Sequence, residues 1–191
     1  EDDILPQPSF TRTYQGKSIL HNCVNHGQIT SKKDNVGGVV GRMDLGVAVF
    51  CQNYGPVESV SGGFAGGIAG YSASTIRDSY AKCRLDGKSH LGGIAGEGAS
   101  IQGCCAIATI EAAAEFIGAI AGSADVEAGS IKENHFLDTG VAGVDSVSYF
   151  ACAEPASFAW FQQQPDIPAR FLSFTLTLKA DESVVAQFPF A

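Results

Sequence analysis

The sequence predicts an all-β chain: a parallel β-solenoid of about four to five short coils, followed by a Phe-rich C-terminal segment. Three observations predict it. First, a block of the form G-G-apolar-small-G recurs as Gly37–Gly41, Gly66–Gly70, Gly92–Gly96 and Gly118–Gly122, at spacings of 29, 26 and 26 residues. A fixed period in this range marks stacked supersecondary units. Second, each unit holds a stretch that alternates with period two, the mark of a half-buried strand. Third, eight of the twelve phenylalanines fall after position 135, outside the repeats.

In chain order, residues 1–18 carry Pro6, Pro8 and Gly16 with little periodicity and read as a lead-in or N-terminal cap. Residues 19–140 are the repeats. The third unit alternates most clearly: Ser79, Ala81, Cys83 and Leu85 against Tyr80, Lys82, Arg84 and Asp86. The first set is small or apolar and is assigned to the interior. Its counterparts are Cys23, Asn25, Gly27 and Ile29, then Cys51, Asn53, Gly55 and Val57, then Cys104, Ala106, Ala108 and Ile110. Leu20, Ala48, Ile76 and Ile101 form a further apolar column three residues earlier. A degraded fifth unit begins at Ile131, with Asn134 and Phe136 in the inward places. Equivalent residues of successive coils then stack at the inter-strand distance, ~4.8 Å. Inward asparagines satisfy their amides by laddering or by bonding backbone at a corner.

This register accounts for most of the six cysteines. Cys23, Cys51 and Cys104 share one inward column, with Ser79 in the remaining place. Stacked strands stand ~4.8 Å apart, wider than the ~3.8 Å that disulfide Cβ atoms prefer. Buried free thiols are therefore expected rather than a Cys23–Cys51 bridge, and Cys105 is expected to face outward, partly covered.

The glycine blocks read as a strand with no polar face. Val39, Ile68, Ile94 and Ile120 line one side; Val36, Val40, Ala65, Ala69, Leu91 and Ala95 belong to the other. Such a strand is covered on both sides. The segment 141–191 is the expected cover, either a cap on the coils or the start of a following Ig-like or grasp-like module. Within it, 155–164 reads as a short helix with Pro155 near its start and Pro165 past its end. Phe171–Leu178 and Ser183–Phe190 read as a hairpin around Lys179–Glu182.

Composition narrows the functional classes. The formal net charge is −8, and the longest basic run is Lys32-Lys33. Phosphate binding needs a cationic face, so nucleic acid is not an expected partner. No run of 18 or more apolar residues occurs, so no membrane span is expected in this segment. The chain reads as a piece of a longer multidomain protein.

Candidate chemistries fail one by one. Asp138-Thr139-Gly140 resembles an aspartic-protease loop, but that chemistry shares a proton between two carboxylates and no second copy occurs. His21, Cys23 and His26 have ligand-like spacing, yet the register sends Cys23 inward and His26 outward. The two Gly-Lys-Ser triplets, at Gly16 and Gly87, lack the earlier glycine of a phosphate loop: Thr11 and Lys82 stand there. Outward Glu58, Lys82, Arg84 and Asp86 would line a groove in a glycan-cleaving β-helix, and are otherwise a solvated face. Outward Tyr54 and Tyr80 offer aromatic platforms. No catalytic, cofactor-binding or metal-ligating residue is assigned, and no cofactor is expected.

The pairing of Asn22–Ile29 with Val36–Gly41 resembles the GLUG repeat of bacterial secreted and cell-surface proteins. These include adhesin-like proteins and accessory regions of some immunoglobulin A peptidases. The resemblance covers roughly 20–140, with Val, Ile or Ala in the place of the naming Leu and Ala119 breaking the last Gly-Gly. It implies an extracellular or cell-surface location, adhesive or spacer use, and no catalytic residues. The expected function is a non-catalytic module of a bacterial surface protein, giving either a binding face for a host or microbial protein or glycan, or a rigid spacer. The alternatives are a β-helix acting on glycans and a scaffold region of a larger surface peptidase.

Overall fold

The chain is a parallel β-solenoid, here in a computed structural model that describes residues 18–110, 115–124, 130–145, 152–180 and 183–190. The lead-in over 1–17, with Gly16-Lys17, lies outside the described residues, as do Phe150 and the hairpin tip Asp181-Glu182. Three parallel sheets form the coil walls. The first stacks Ser18–His21, Gly46–Val49, Ala69–Arg77, Ala95–Gln102 and Ala121–Ala124 in that order. The second stacks Val24–Asn25, Gln52–Asn53, Tyr80–Asp86, Cys105–Ile110, Asn134–Leu137 and Ala153–Ala156. The third stacks Val36–Gly37, Ala65–Gly66, Ser89–Gly92 and Glu115–Gly118.

The columns follow the expected register. Leu85 pairs with Val57 and Ile110, and Ile76 pairs with Ala48 and Ile101. Ser79, Ala81, Cys83 and Leu85 are buried, whereas Arg84 is exposed. The buried asparagines and serines of the interior are bonded. The Asn25 amide donates to Asn53 Oδ1 at 2.8 Å and also to the Gly27 carbonyl. Ser79 Oγ accepts from the Cys51 amide at 3.1 Å, and Asn134 Oδ1 accepts from the Cys104 amide at 2.9 Å. The asparagines also shape the backbone. Asn53 binds both the N–H and the C=O of Gly55, and the second-sheet strand of that coil is interrupted there. Where Ala81 or Ala106 takes the place, the strand runs unbroken as Tyr80–Asp86 or Cys105–Ile110.

The glycine blocks are corners, which corrects their reading as one covered strand. Ala65–Gly66 ends in the third sheet and Ala69–Arg77 begins the first, with Gly67-Ile68 between. The bend resets the period-two parity, so Ala65, Ile68 and Ala69 all point into one core and need no lid. Each corner carbonyl serves two donors of the preceding coil: Ile94 O accepts from Ile68 N at 2.8 Å and Ala69 N at 3.0 Å. A Cβ on Gly67 would stand 2.0 Å from the Gly93 carbonyl oxygen, so close backbone approach dictates the glycine.

The C-terminal segment covers a different surface. After Ala153–Ala156 come two short helices, α1 (Phe158–Gln162) and α2 (Ala169–Leu172), then the antiparallel strands Phe174–Ala180 and Ser183–Phe190. The helix over 155–164 is thus shorter than expected. Pro155 lies in a strand, and Ser157 caps α1 by accepting from the Trp160 amide at 3.2 Å. Phe171 belongs to α2, which Pro168 precedes, and not to the hairpin. Phe161 and Phe171 are fully buried against Cys105 and Ala156, packed on Tyr54, Tyr80 and Ile107 of the second sheet's outer face. Among the described residues no helix is long and apolar enough to cross a membrane.

Candidate functional site

The platforms expected on the second sheet are occupied by the chain itself. Tyr80 meets the edge of Phe171 with ring centroids 5.8 Å apart, and its hydroxyl donates to the Asp166 carbonyl at 3.3 Å. Tyr54 stacks on His26 at 5.5 Å, lies under the Arg170 guanidinium, and donates to Gln52 Oε1 at 2.6 Å. Burial pushes both phenols up to about 12. The Lys82 amine donates to the Ser173 carbonyl and stands over the Phe174 ring; burial, with Arg170 nearby, lowers its pKa. Of the four charged residues proposed to line one groove, Lys82 is thus diverted under the C-terminal segment. Glu58, Arg84 and Asp86 share a shallow dent beside Gln28 and Pro56.

The other sequence candidates separate in space. Cys23 packs against the core while His26 lies on the outer ring of Tyr54, and His21 meets the edge of Phe50. Asp138 Oδ1 accepts from the Gly140 amide at 3.1 Å, closing a turn. Lys88 of the second Gly-Lys-Ser bonds through its amide to Gly62 O, and Ser89 opens a third-sheet strand.

Two corner columns escape sequence reading. At the turn from first to second sheet, Asn22, Phe50, Asp78, Gly103 and Glu133 all have φ between 49° and 63°. At the turn from second to third sheet, Asn35, Phe64, His90 and Phe116 have φ between 52° and 59°. Gly140, at φ +84°, follows in the same column: Ala142 accepts from Ala119 as Gly118 accepts from Gly93. Left-handed backbone is uncommon outside glycine and costs a bulky residue about 1–2 kcal/mol. Inter-coil bonds hold it, as from Asn22 N to Val49 O at 3.1 Å and from Asp78 N to Gln102 O at 2.9 Å. Asn22, Asp78, Gly103, Asn35 and Gly140 are the residue types that signal this conformation; the aromatic members hid the periodicity.

The two columns use their aromatic rings differently. In the second, His90 is sandwiched between Phe64 and Phe116 with centroids 4.3 and 4.4 Å away and near-parallel planes. The inner ring faces are spent on one another, and Phe116, at the end of the stack, is 43% exposed. In the first column Phe50 stands between Asn22 and Asp78, with the residue 45% exposed. It borders an open cleft of about 630 Å³ between the solenoid corner and the C-terminal segment. Asn22, Gln52, Asp78 and Tyr80 face this cleft from the coils, and Asp166 and Pro168 from the link between α1 and α2. The tie from Tyr80 to Asp166 fixes the two walls relative to each other.

Comparison with protein families, with curated proteins and with solved structures finds no match.

Proposed function

We propose that this chain is a non-catalytic, extracellular binding module of a bacterial surface protein, acting in an adhesin-like way on a host or microbial surface ligand. The observation that carries the reading is the cleft built jointly by solenoid and C-terminal segment, with a solvent-facing phenylalanine held in left-handed backbone beside amide and carboxylate side chains. Strain of this kind persists where the surrounding structure over-determines it, and it clusters at ligand clamps. The stacked coils supply a rigid body on which such a site can be presented away from a surface, so spacer and binder roles are compatible.

The surface location rests on the resemblance of 20–140 to GLUG repeats. The buried thiols fit it: burial pushes Cys83 and Cys105 up to about 12, which suppresses the thiolate that oxidants attack. A second reading, a β-helix acting on glycans, is favoured by the dent that gathers Glu58, Arg84 and Asp86. One experiment separates the two. The purified chain is applied to immobilised glycans and surface proteins, and the same ligands are assayed for turnover. Retention without turnover is expected. Turnover abolished by Asp86→Asn refutes the non-catalytic reading.

A further inference from the structure

We infer that the Phe50 cleft is a glycan subsite for an uncharged sugar ring, a ligand class that rests on the binding-module reading and sharpens it. Phe50 presents an aromatic surface, against which the C–H face of a pyranose packs. Around it stand the planar polar groups Asn22, Gln52, Asp78 and Asp166. Gln52 Oε1 is already taken by the Tyr54 hydroxyl, which leaves its Nε2 as a donor. The Asn22 amide makes no side-chain hydrogen bond among the described residues and offers a donor and an acceptor. Asp78 and Asp166 offer carboxylate acceptors. Sugar hydroxyls donate and accept at once, and adjacent hydroxyls match a mixed set of amides and carboxylates.

Charge narrows the class. Two aspartates line the cleft, of which Asp78 is paired with Arg77 at 3.9 Å, and the chain carries a net charge of −8, so uronate, sialylated or phosphorylated ligands meet net repulsion. A protein ligand would need either a broad apolar patch or a free strand edge here. Besides Tyr80, whose ring packs on Phe171, the cleft shows one ring, and its strands Gln52–Asn53 and Tyr80–Asp86 are paired on both sides within the second sheet. The corner conformation also keeps the ring in place: Phe50 N donates to Arg77 O, and His21 stands edge-on at 5.7 Å.

The test uses the whole chain and saturation-transfer NMR with neutral gluco-, galacto- and manno-oligosaccharides, each beside its sialylated or uronic counterpart. Transfer to at least one neutral series is expected, with little to the acidic counterpart. Phe50→Gly keeps a residue suited to left-handed backbone while removing the ring, and Asp78→Asn keeps shape while removing charge. Each is expected to weaken binding about 10-fold or more, while Phe116→Gly at the other corner leaves it unchanged. Absence of transfer from every neutral series, or binding indifferent to Phe50→Gly, overturns the inference. If instead only a protein ligand is retained and Phe50→Gly abolishes that retention, the glycan class falls while the binding-module reading survives. If neutral glycans bind at Phe50 and are cleaved, the glycan class is upheld and the non-catalytic reading falls.

Discussion

Replacing Asn53 with alanine should destabilise the solenoid far more than replacing Asn25, although the two residues occupy the same column. Asn53 is fully buried. Its side chain accepts from the Gly55 amide at 3.1 Å, donates to the Gly55 carbonyl at 3.0 Å, and accepts from the Asn25 amide at 2.8 Å. Alanine removes all three. The Asn25 amide keeps the Gly27 carbonyl as a partner, but Gly55 is left with an N–H and a C=O unpaired in a buried position. Each unpaired buried group costs about 1–3 kcal/mol, so the expected loss is about 4 kcal/mol. For a chain of this size that corresponds to a fall in Tm of about 8–16 °C. Asn25 is only half-buried, the exposed Gly27 can turn to water and Asn53 Oδ1 keeps the Gly55 amide, so Asn25→Ala should lose about 1 kcal/mol. Urea titration followed by far-UV circular dichroism measures both. Equal losses for the two variants, or a loss under about 1 kcal/mol for Asn53→Ala, would refute the claim that the interior amide ladder sustains the coil.

Gly55→Ala should be severe, since its Cβ would stand 1.9 Å from the Gly27 carbonyl oxygen, whereas Gly27→Ala meets nothing nearer than 3.7 Å. Urea midpoints should differ by an amount equivalent to about 3 kcal/mol or more, and equal midpoints would contradict the stacking geometry. Phe161→Ala empties the centre of the small cluster between helix and sheet, at a cost of about 3–5 kcal/mol. It should release the C-terminal segment before the coils melt, so that fluorescence of the single tryptophan, Trp160, changes at lower urea than the far-UV signal. Coincident transitions would show that segment and coils unfold together. His135, stacked on Trp160 at 4.1 Å, has its pKa lowered, chiefly by burial and against the pull of Glu154. The unfolded chain then binds the proton more readily, so stability falls as pH drops from about 6.5 toward the lower folded value. Denaturation at pH 5 and 7 should show this slope in the native chain and a smaller one in His135→Gln; a native chain more stable at pH 5 would reverse the sign and sink it.

Periodicity made the coils legible. A period-two alternation repeated in register leaves few ways to place Cys83, Leu85 and Ile76, because a slip of one residue would expose every one of them. The stacking of Asn25 on Asn53 follows from the same spacing. The corners were less legible, for two reasons. A bend resets strand parity, so Ala65 and Ala69 look like opposite faces of one strand while sharing a core. Left-handed backbone has a sequence signature only where Asn, Asp or Gly occupies it, and Phe50, Phe64 and Phe116 carry none.

The sequence by itself determined that the chain coils, which residues stack, and that Cys51, Cys83 and Cys104 are interior. Those follow from local spacing, which the chain carries wherever it goes. Cys105 faces outward as expected and is buried only by the C-terminal segment. Tertiary structure alone decided which outer face stays open. Tyr54, Tyr80 and Lys82 alternate outward as read, yet a segment 80 to 120 residues later in the chain lies across them. That long-range docking, driven by burial of Phe161 and Phe171, closes the expected platform and raises one wall of the Phe50 cleft from Asp166 and Pro168. No periodicity encodes a contact between two segments of unrelated pattern, so the site became visible only when both were in place.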